Sequence, residues 1–334
     1  MEKRIRQRFT SDILHQALAL FDIKLEQSRE LDGFESFIYQ FDRGDQKGIL
    51  RISHSIRRSE GLIQAELDWI NHLHQGGVRV ARPIQSIHGE WLEIIEDGAG
   101  GAFLTAAFDW APGKIHRGEW PKPLLREYGT QLGRMHRLAV DYRPPDPTIK
   151  RAEWHDPRNL DFSQFLPEKD VKIKQISQDL LEYLHTLPKP SDGYGMIHQD
   201  PHPGNFHVDV NHKITFFDFD DCAYGWFVND IALVLFYTAM GKEEPADFIQ
   251  DFLDEFLVGY YGEFDLDPIW FKQIPVFQKL RELDLYALIH RSFDVENLDD
   301  PWVSWYMDGR AEKLEEGRPF LNFDFEGFDF NSYR

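Results

Sequence analysis

The chain has a single cysteine, Cys222, in 334 residues. A lone thiol excludes an internal disulfide framework and suits a reducing, cytoplasmic compartment. Long apolar runs are also missing. No uncharged apolar stretch reaches the roughly 18 residues that a membrane span needs, so none is expected. The opening "MEKRIRQRFTSDILHQALALFD" starts basic, but Asp12, His15 and Gln16 interrupt its apolar part. It reads as an amphipathic helix and not as a signal peptide. Positive charge is scarce: 37 Lys and Arg stand against 57 Asp and Glu, a formal net charge of −20. That balance argues against a nucleic-acid partner, which is held by clustered cations. It reads as a solvated acidic surface, with attraction for a cationic substrate as the sharper alternative.

What is present suits a globular enzyme-sized fold. Hydrophobic residues make up 42% of the chain, with 27 Phe, 12 Tyr and 9 Trp, enough for one large domain or two lobes with separate cores. In the first hundred residues, "FIYQFDRGDQKGILRIS" reads as two strands around a polar turn, Phe37 to Phe41 and Gly48 to Ser53. Gly33 and Ser36, just before them, mark a loop whose amides can face phosphate. A helix follows from Arg58 to Gln75, with Leu62, Ile63, Leu67, Ile70 and Leu73 at helical spacing and Gly76-Gly77 as its stop. Glu66 falls on or beside that apolar stripe. It is either a solvated edge residue or the partner of a cation from the sheet, for which Arg51 in mid-strand is the candidate. "PIQSIH", "WLEIIE" and "GAFLTAAFDW" add three strands, making five strands with one inserted helix.

"APGK", Ala111 to Lys114, reads as a hinge, and beyond Pro121 the spacing turns helical in segment after segment. The expected architecture is α+β: a small antiparallel β lobe over residues 1–110, a larger, mainly α-helical lobe over 111–317, and an extended tail over 318–334.

Between the helical segments stands "MIHQDPHPGNFHV", residues 196 to 208. His198, Asp200, His202 and His207 are all possible metal ligands, which keeps a zinc cage open. The spacing supports another reading. Asp200 and Asn205 are five apart, as in H-x-D-x-x-x-x-N, and "ITFFDFDD" places Asp218 thirteen residues after Asn205. "FHVDV" and "KITFF" form a hairpin around Asn211-His212 that returns Asp218 to Asn205. A carboxylate beside an amide oxygen is a hard-oxygen pair suited to Mg²⁺ carrying phosphates. Asp200 then remains to accept a hydroxyl proton, in a phosphoryl transfer that depends mainly on alignment and charge.

"IHQDPHPGN", then "FFDFDD", then "NDIA" resembles the phosphotransferase family of aminoglycoside kinases, choline kinases and type II homoserine kinases, over roughly residues 30 to 310. The resemblance implies a bilobal, protein-kinase-like fold with ATP between the lobes. It implies Asp200 as catalytic base, Asn205 and Asp218 as magnesium ligands, and His198 as a brace of the loop. Asp230 matches an acid that begins the next helix and steadies the loop. Arg51 stands at the strand position of a phosphate-contacting Lys and Glu66 at that of its partner. Arg forks its donors where Lys is a point charge, so the exact phosphate contact differs. Gly33 and Ser36 match the phosphate-covering loop. Ala107 to Trp110, with Phe108 and Trp110, match the linker whose backbone reads adenine. Gln199 stands where the family has glycine.

The expected acceptor is a small molecule with a hydroxyl. Acids and aromatics at Trp226, in Asp220-Asp221 and in "SFDVENLDDPWVSWY" suggest that it also carries an amine; a helical core with solvated acids reads equally from the same residues. Two other classes stay open. One is a metal-dependent hydrolase built on His198, His202 and His207. The other is a nucleotide-binding regulator without transfer activity, which Arg51 makes conceivable.

Overall fold

The computed structural model describes residues 2–157, 164–242 and 245–334. Met1 and Glu244, which begin two of the segments read as helical, lie outside the described residues. The chain divides into two compact units. The first comprises Met1–Gly118, Asp141–Arg151 and Gly204–Asp220; the second comprises Glu119–Val140, Ala152–Pro203 and Asp221–Arg334.

The N-terminal helical segment is two helices, α1 (Lys3–Arg8) and α2 (Ser11–Leu20). The break falls at Phe9, whose ring stacks on Phe37, and Thr10 caps α2 by accepting from the Ile13 N–H at 3.3 Å. The strands β1 (Ser28–Leu31), β2 (Phe37–Arg43), β3 (Gln46–His54), β4 (Pro83–Ile84), β5 (Glu93–Glu96) and β6 (Ala102–Asp109) form a six-stranded antiparallel sheet. Its order is β1-β2-β3-β6-β4, with β5 also paired to β6. The sequence reading of five strands missed β1. Its residues, Ser-Arg-Glu-Leu, are exposed or half-buried throughout at the edge of the sheet, so no alternation marks them. Strand β6 is central and its interior residues are buried on both faces, which explains its continuous apolar run.

Helix α3 (Glu60–Gln75) starts where Ser59 accepts from the Leu62 N–H, and it buries Leu62, Ile63, Leu67, Trp69, Ile70 and Leu73. Beyond Gly76, Gly77 takes φ +84°, a conformation glycine adopts without strain. The last residue of the segment read as a hinge, Lys114, begins a strand. In unit 1, β7 (Lys114–Ile115) pairs with β9 (Phe206–Val208), and β9 pairs with β10 (Ile214–Phe216). The expected hairpin is thus present. Asp209 closes its turn by accepting from the N–H groups of Asn211 and Lys213, and His212 takes φ +59°. The Ala81 N–H donates to the Phe216 carbonyl at 2.8 Å, and the Phe216 N–H to the Arg79 carbonyl at 2.9 Å, which binds β10 to the segment after α3.

Unit 2 is mainly helical: α4 (Lys122–Asp141), α5 (Val171–Thr186), α6 (Phe227–Ala239), α7 (Pro245–Tyr261), α8 (Ile274–Ser292), α9 (Pro301–Met307) and α10 (Arg310–Glu315). Gly309, in the left-handed region, separates the last two. A two-stranded ribbon, β8 (Tyr194–Ile197) with β11 (Ala223–Trp226), was not foreseen. Helices α4 and α7 meet backbone to backbone. A Cβ on Gly129 would collide with the Phe256 carbonyl, and one on Gly259 with the Arg126 carbonyl. Leu321, Phe325 and Phe330 of the final segment are buried, and Phe330 stacks on Phe271. Among the described residues, no helix is long and apolar enough to cross a membrane.

Candidate active site

Unit 1 carries Gly33, Ser36, Arg51, Glu66, Phe108, Trp110, Asn205 and Asp218; unit 2 carries His198 and Asp200. Each set is built by its own unit.

In unit 1, β3 brings Arg51 opposite Ile38 and Ala106, and α3 brings Glu66 to it. The pair is bidentate, Nη1 to Oε1 at 2.8 Å and Nη2 to Oε2 at 2.7 Å, and both residues are buried. Glu66 is therefore the partner of Arg51 and not a solvated edge residue. Burial disfavours the guanidinium charge. Glu66 outweighs that, with Asp220 and Asp218 adding to it, so Arg51 holds its proton more tightly than usual. The Arg51 guanidinium lies over the Phe108 ring, 5.0 Å from its centroid. Glu66→Ala leaves Arg51 buried without its counter-charge and should cost about 3–5 kcal/mol in urea unfolding. The double variant R51M/E66L should lose much less, because no buried charge remains unpaired.

Ser36 is buried, its hydroxyl 2.9 Å from that of Ser53, and the Gly33 Cα faces the Ser36 carbonyl too closely to admit a Cβ. The loop before β2 is therefore folded onto itself. Ala107, Phe108 and Asp109 belong to β6, paired with β3 and β4, so the segment that leaves the strand begins at Trp110. The Trp110 N–H donates to the Lys47 carbonyl, and the Lys47 ammonium sits 3.7 Å from the Trp110 ring centroid.

The β9–β10 hairpin places Asn205 and Asp218 at one end. The Phe217 N–H donates to the Asn205 carbonyl at 2.9 Å, and Asp218 follows at once with φ +59°. Such backbone is uncommon outside glycine and collects at functional sites. One amide and one carboxylate at the end of a single hairpin are hard donors whose chemistry fits Mg²⁺ or Ca²⁺. Asp220, two residues on, is held by Arg57, which also bonds Glu35, and lies 3.5 Å from Arg58. Burial would raise the Asp220 carboxyl pKa, but Arg57, Arg58 and Arg51 hold it well below the usual range.

In unit 2, β8 ends at Ile197 and the chain turns at His198. Asp230, in the first turn of α6, accepts from the His198 N–H through Oδ2 and from the Gln199 N–H through Oδ1, both at 2.9 Å. It therefore braces the loop. Its Oδ2 lies 3.4 Å from His136 Nε2, and burial lowers the pKa of His136 against the pull of Asp230. The His198 side chain is fully buried. Gln199 takes φ +71°, which gives a physical reason for glycine in the family pattern. Here the Asn229 side-chain amide donates to the Gln199 side-chain oxygen at 3.2 Å. The Tyr128 hydroxyl, from α4, donates to the Pro201 carbonyl.

These contacts fix the backbone on either side of Asp200. Its Oδ1 accepts from Arg281 Nη2 at 3.0 Å, and its Oδ2 lies 3.3 Å from His202 Nε2. The Asp200 side chain keeps 18% of its surface exposed. Burial works to raise its pKa; Arg281 first, then His202 and His198, hold it well below the usual carboxylate range. Asp200 is thus ionised at neutral pH.

The histidines do not form a cage. His207 spends Nδ1 on the Ala111 carbonyl at 2.7 Å and packs against Trp110 and Phe217, while the His202 ring packs on Tyr237. Among the described residues, no group of three or more His, Cys, Asp or Glu is arranged to hold a metal. Trp226, read as part of an amine-binding wall, is core. It is buried among Trp154, Tyr194 and Phe277, with its indole N–H donated to the Pro188 carbonyl. Arg281, Tyr237, Tyr128 and Arg57 escaped the sequence reading, since none lies in a motif.

The Phosphotransferase enzyme family matches the chain over residues 29–267. An amicoumacin kinase of Bacillus subtilis (strain 168) is 37% identical over 331 residues, 97% of this chain and 98% of that protein. The solved structure of an amicoumacin kinase in complex with AMP-PNP, Ca²⁺ and Ami superposes with a TM-score of 0.92 at 35% identity, covering 98% of this chain and 99% of that one. A microcompartment-associated aminopropanol kinase gives 0.73 at 20% identity, covering 92% of this chain and 97% of that one. A spectinomycin phosphotransferase with ADP and spectinomycin gives 0.60 at 16% identity, covering 94% and 99%. At such identities the last two speak for the fold, which is the protein-kinase-like α+β arrangement expected.

Proposed function

We propose that this chain, which belongs to the phosphotransferase enzyme family, phosphorylates a hydroxyl of amicoumacin or of a similar amine-bearing molecule. It is a small-molecule kinase with a hydroxyl acceptor, and it works with ATP and a divalent cation. The observation that carries the assignment of roles is the Asp200 carboxylate: ionised, partly open, and set on a loop that Asp230 and Tyr128 hold from two helices.

In this reading the acceptor hydroxyl donates to Asp200. A bond forms between its oxygen and the γ-phosphorus, the bond from that phosphorus to the β–γ bridging oxygen breaks, and ADP leaves. The hydroxyl proton passes to Asp200. Asn205 and Asp218 would hold the divalent cation, which would supply positive charge against the phosphate oxygens. Arg51, kept cationic by Glu66, faces phosphate, and the loop of Gly33 and Ser36 covers it. The segment leaving β6 at Trp110 lies along the base.

The amine preference rests on charge. Asp284, on α8, is half-buried, and desolvation and Asp221 raise its carboxyl pKa against the pull of Arg281. Asp200 and Asp284 flank the Arg281 guanidinium and Asp221 acts on Asp284, so carboxylates outnumber the guanidinium in this part of unit 2, a field that favours an ammonium group. A direct test incubates the purified chain with ATP, Mg²⁺ and amicoumacin beside a panel of neutral alcohols and amino alcohols. The expected result is ADP release matched by one phosphate on amicoumacin, with amines preferred over neutral alcohols. ATP binding with no product from any acceptor would instead support the regulator reading.

A further inference from the structure

Arg281 lies on α8, beyond the residues that match the family, and no motif contains it. Its donors are nevertheless committed on three sides. Nε donates to the Tyr237 hydroxyl at 2.8 Å, Nη1 to Asp284 Oδ2 at 2.8 Å, and Nη2 to Asp200 Oδ1 at 3.0 Å. Nη2 also reaches the Tyr237 hydroxyl. The guanidinium carbon lies 5.3 Å from the Tyr237 ring centroid, and only 16% of the side chain is exposed. A planar group tied along its edges has one orientation, so the N–H that meets Asp200 points in a fixed direction. Turning the Asp200 carboxylate about its own bond would break that contact.

We propose that Arg281 is a positioning residue for phosphoryl transfer: it locks the Asp200 carboxylate through Oδ1, so that Oδ2, which His202 Nε2 approaches at 3.3 Å, faces the acceptor hydroxyl in one orientation. Tyr237 and Asp284 in turn lock Arg281. The inference rests on Asp200 being the base. The groups that face Asp200 are His198 and His202 on its own loop, Arg281 and Asp284 on α8, Tyr237 on α6 and Tyr128 on α4. Arg281 supplies the fixed positive charge of that set. Without it, the remaining carboxylate of Asp284 makes Asp200 easier to protonate. A limb that requires ionised Asp200 then moves to higher pH.

The test uses full-length R281Q, R281K and Y237F with ATP, Mg²⁺ and amicoumacin, or with water as acceptor if amicoumacin is not turned over. R281Q should lower kcat by about 10- to 100-fold with KM for ATP nearly unchanged, and shift the acid limb upward. R281K should restore the limb through its charge but recover only part of kcat, because it lacks the planar fork. Y237F should lower kcat less than R281Q and leave the limb in place. Thermal unfolding of each variant corrects for folded fraction. The proposal is overturned by wild-type kcat in R281Q. It is equally overturned if activity falls only in proportion to folded protein while the acid limb stays put. If D200N itself keeps turnover, the base assignment has failed, and that result is separate from the fate of Arg281.

Discussion

Asp200→Asn should lower kcat by about 10²- to 10⁴-fold, the usual worth of a positioned general base, while ATP affinity changes little. The substitution keeps size and the Arg281 hydrogen bond to an oxygen but removes the proton acceptor. The fold should survive it, since Asp230 and Tyr128 hold the loop backbone. Because Asp200 sits below the usual carboxylate range, the wild-type rate should not fall on its account until pH drops below about 4. A base with an ordinary or raised pKa would give an acid limb nearer neutrality. Steady-state rates from pH 4 to 9, with a calorimetric measurement of ATP binding by D200N, check both statements.

Asp218→Asn should have an effect of similar size for a different reason. The aspartate supplies the charged donor of the proposed cation pair, and Asn205 contributes a neutral one. Losing the charge should lower kcat/KM by on the order of a thousandfold, equivalent to several kcal/mol of lost metal assistance. The defect should shrink as the divalent cation is raised, which a purely structural defect would not do. Arg51 would lose one of its smaller sources of support but keep Glu66, so unfolding should change far less than in Glu66→Ala. A cation titration of activity, paired with urea unfolding, separates the two.

Much of this was legible in the chain because it was written in local spacing. The apolar stripe of α3 carried Glu66 on or beside it, and Arg51 in mid-strand was the candidate partner, with a solvated edge residue as the alternative. The apolar runs on either side of Asn211-His212 announced the β9–β10 hairpin, and with it the return of Asp218 toward Asn205. The illegible parts have physical causes as well. Strand β1 is a polar edge, and β8 and β11 are four-residue strands that pair across a long separation. Helix α8 buries residues on all sides, including Gln278 and Glu282, so its polar residues give no sign of which one faces a site. Arg281 reaches Asp200 across 81 residues, a contact that no local pattern records. Trp226 misled because an aromatic beside acids reads alike whether it lines a site or fills a core. Gln199 was opaque until its left-handed backbone explained why the family places glycine there.

The central claim is that Asp200 receives the proton of the acceptor hydroxyl. A crystal structure of the chain with a non-hydrolysable ATP analogue, a divalent cation and amicoumacin tests it most directly. The account predicts an acceptor hydroxyl oxygen within about 3 Å of Asp200 Oδ2, with Arg281 still on Oδ1. An acceptor bound with every hydroxyl out of reach of Asp200, directly and through a single water, would contradict it.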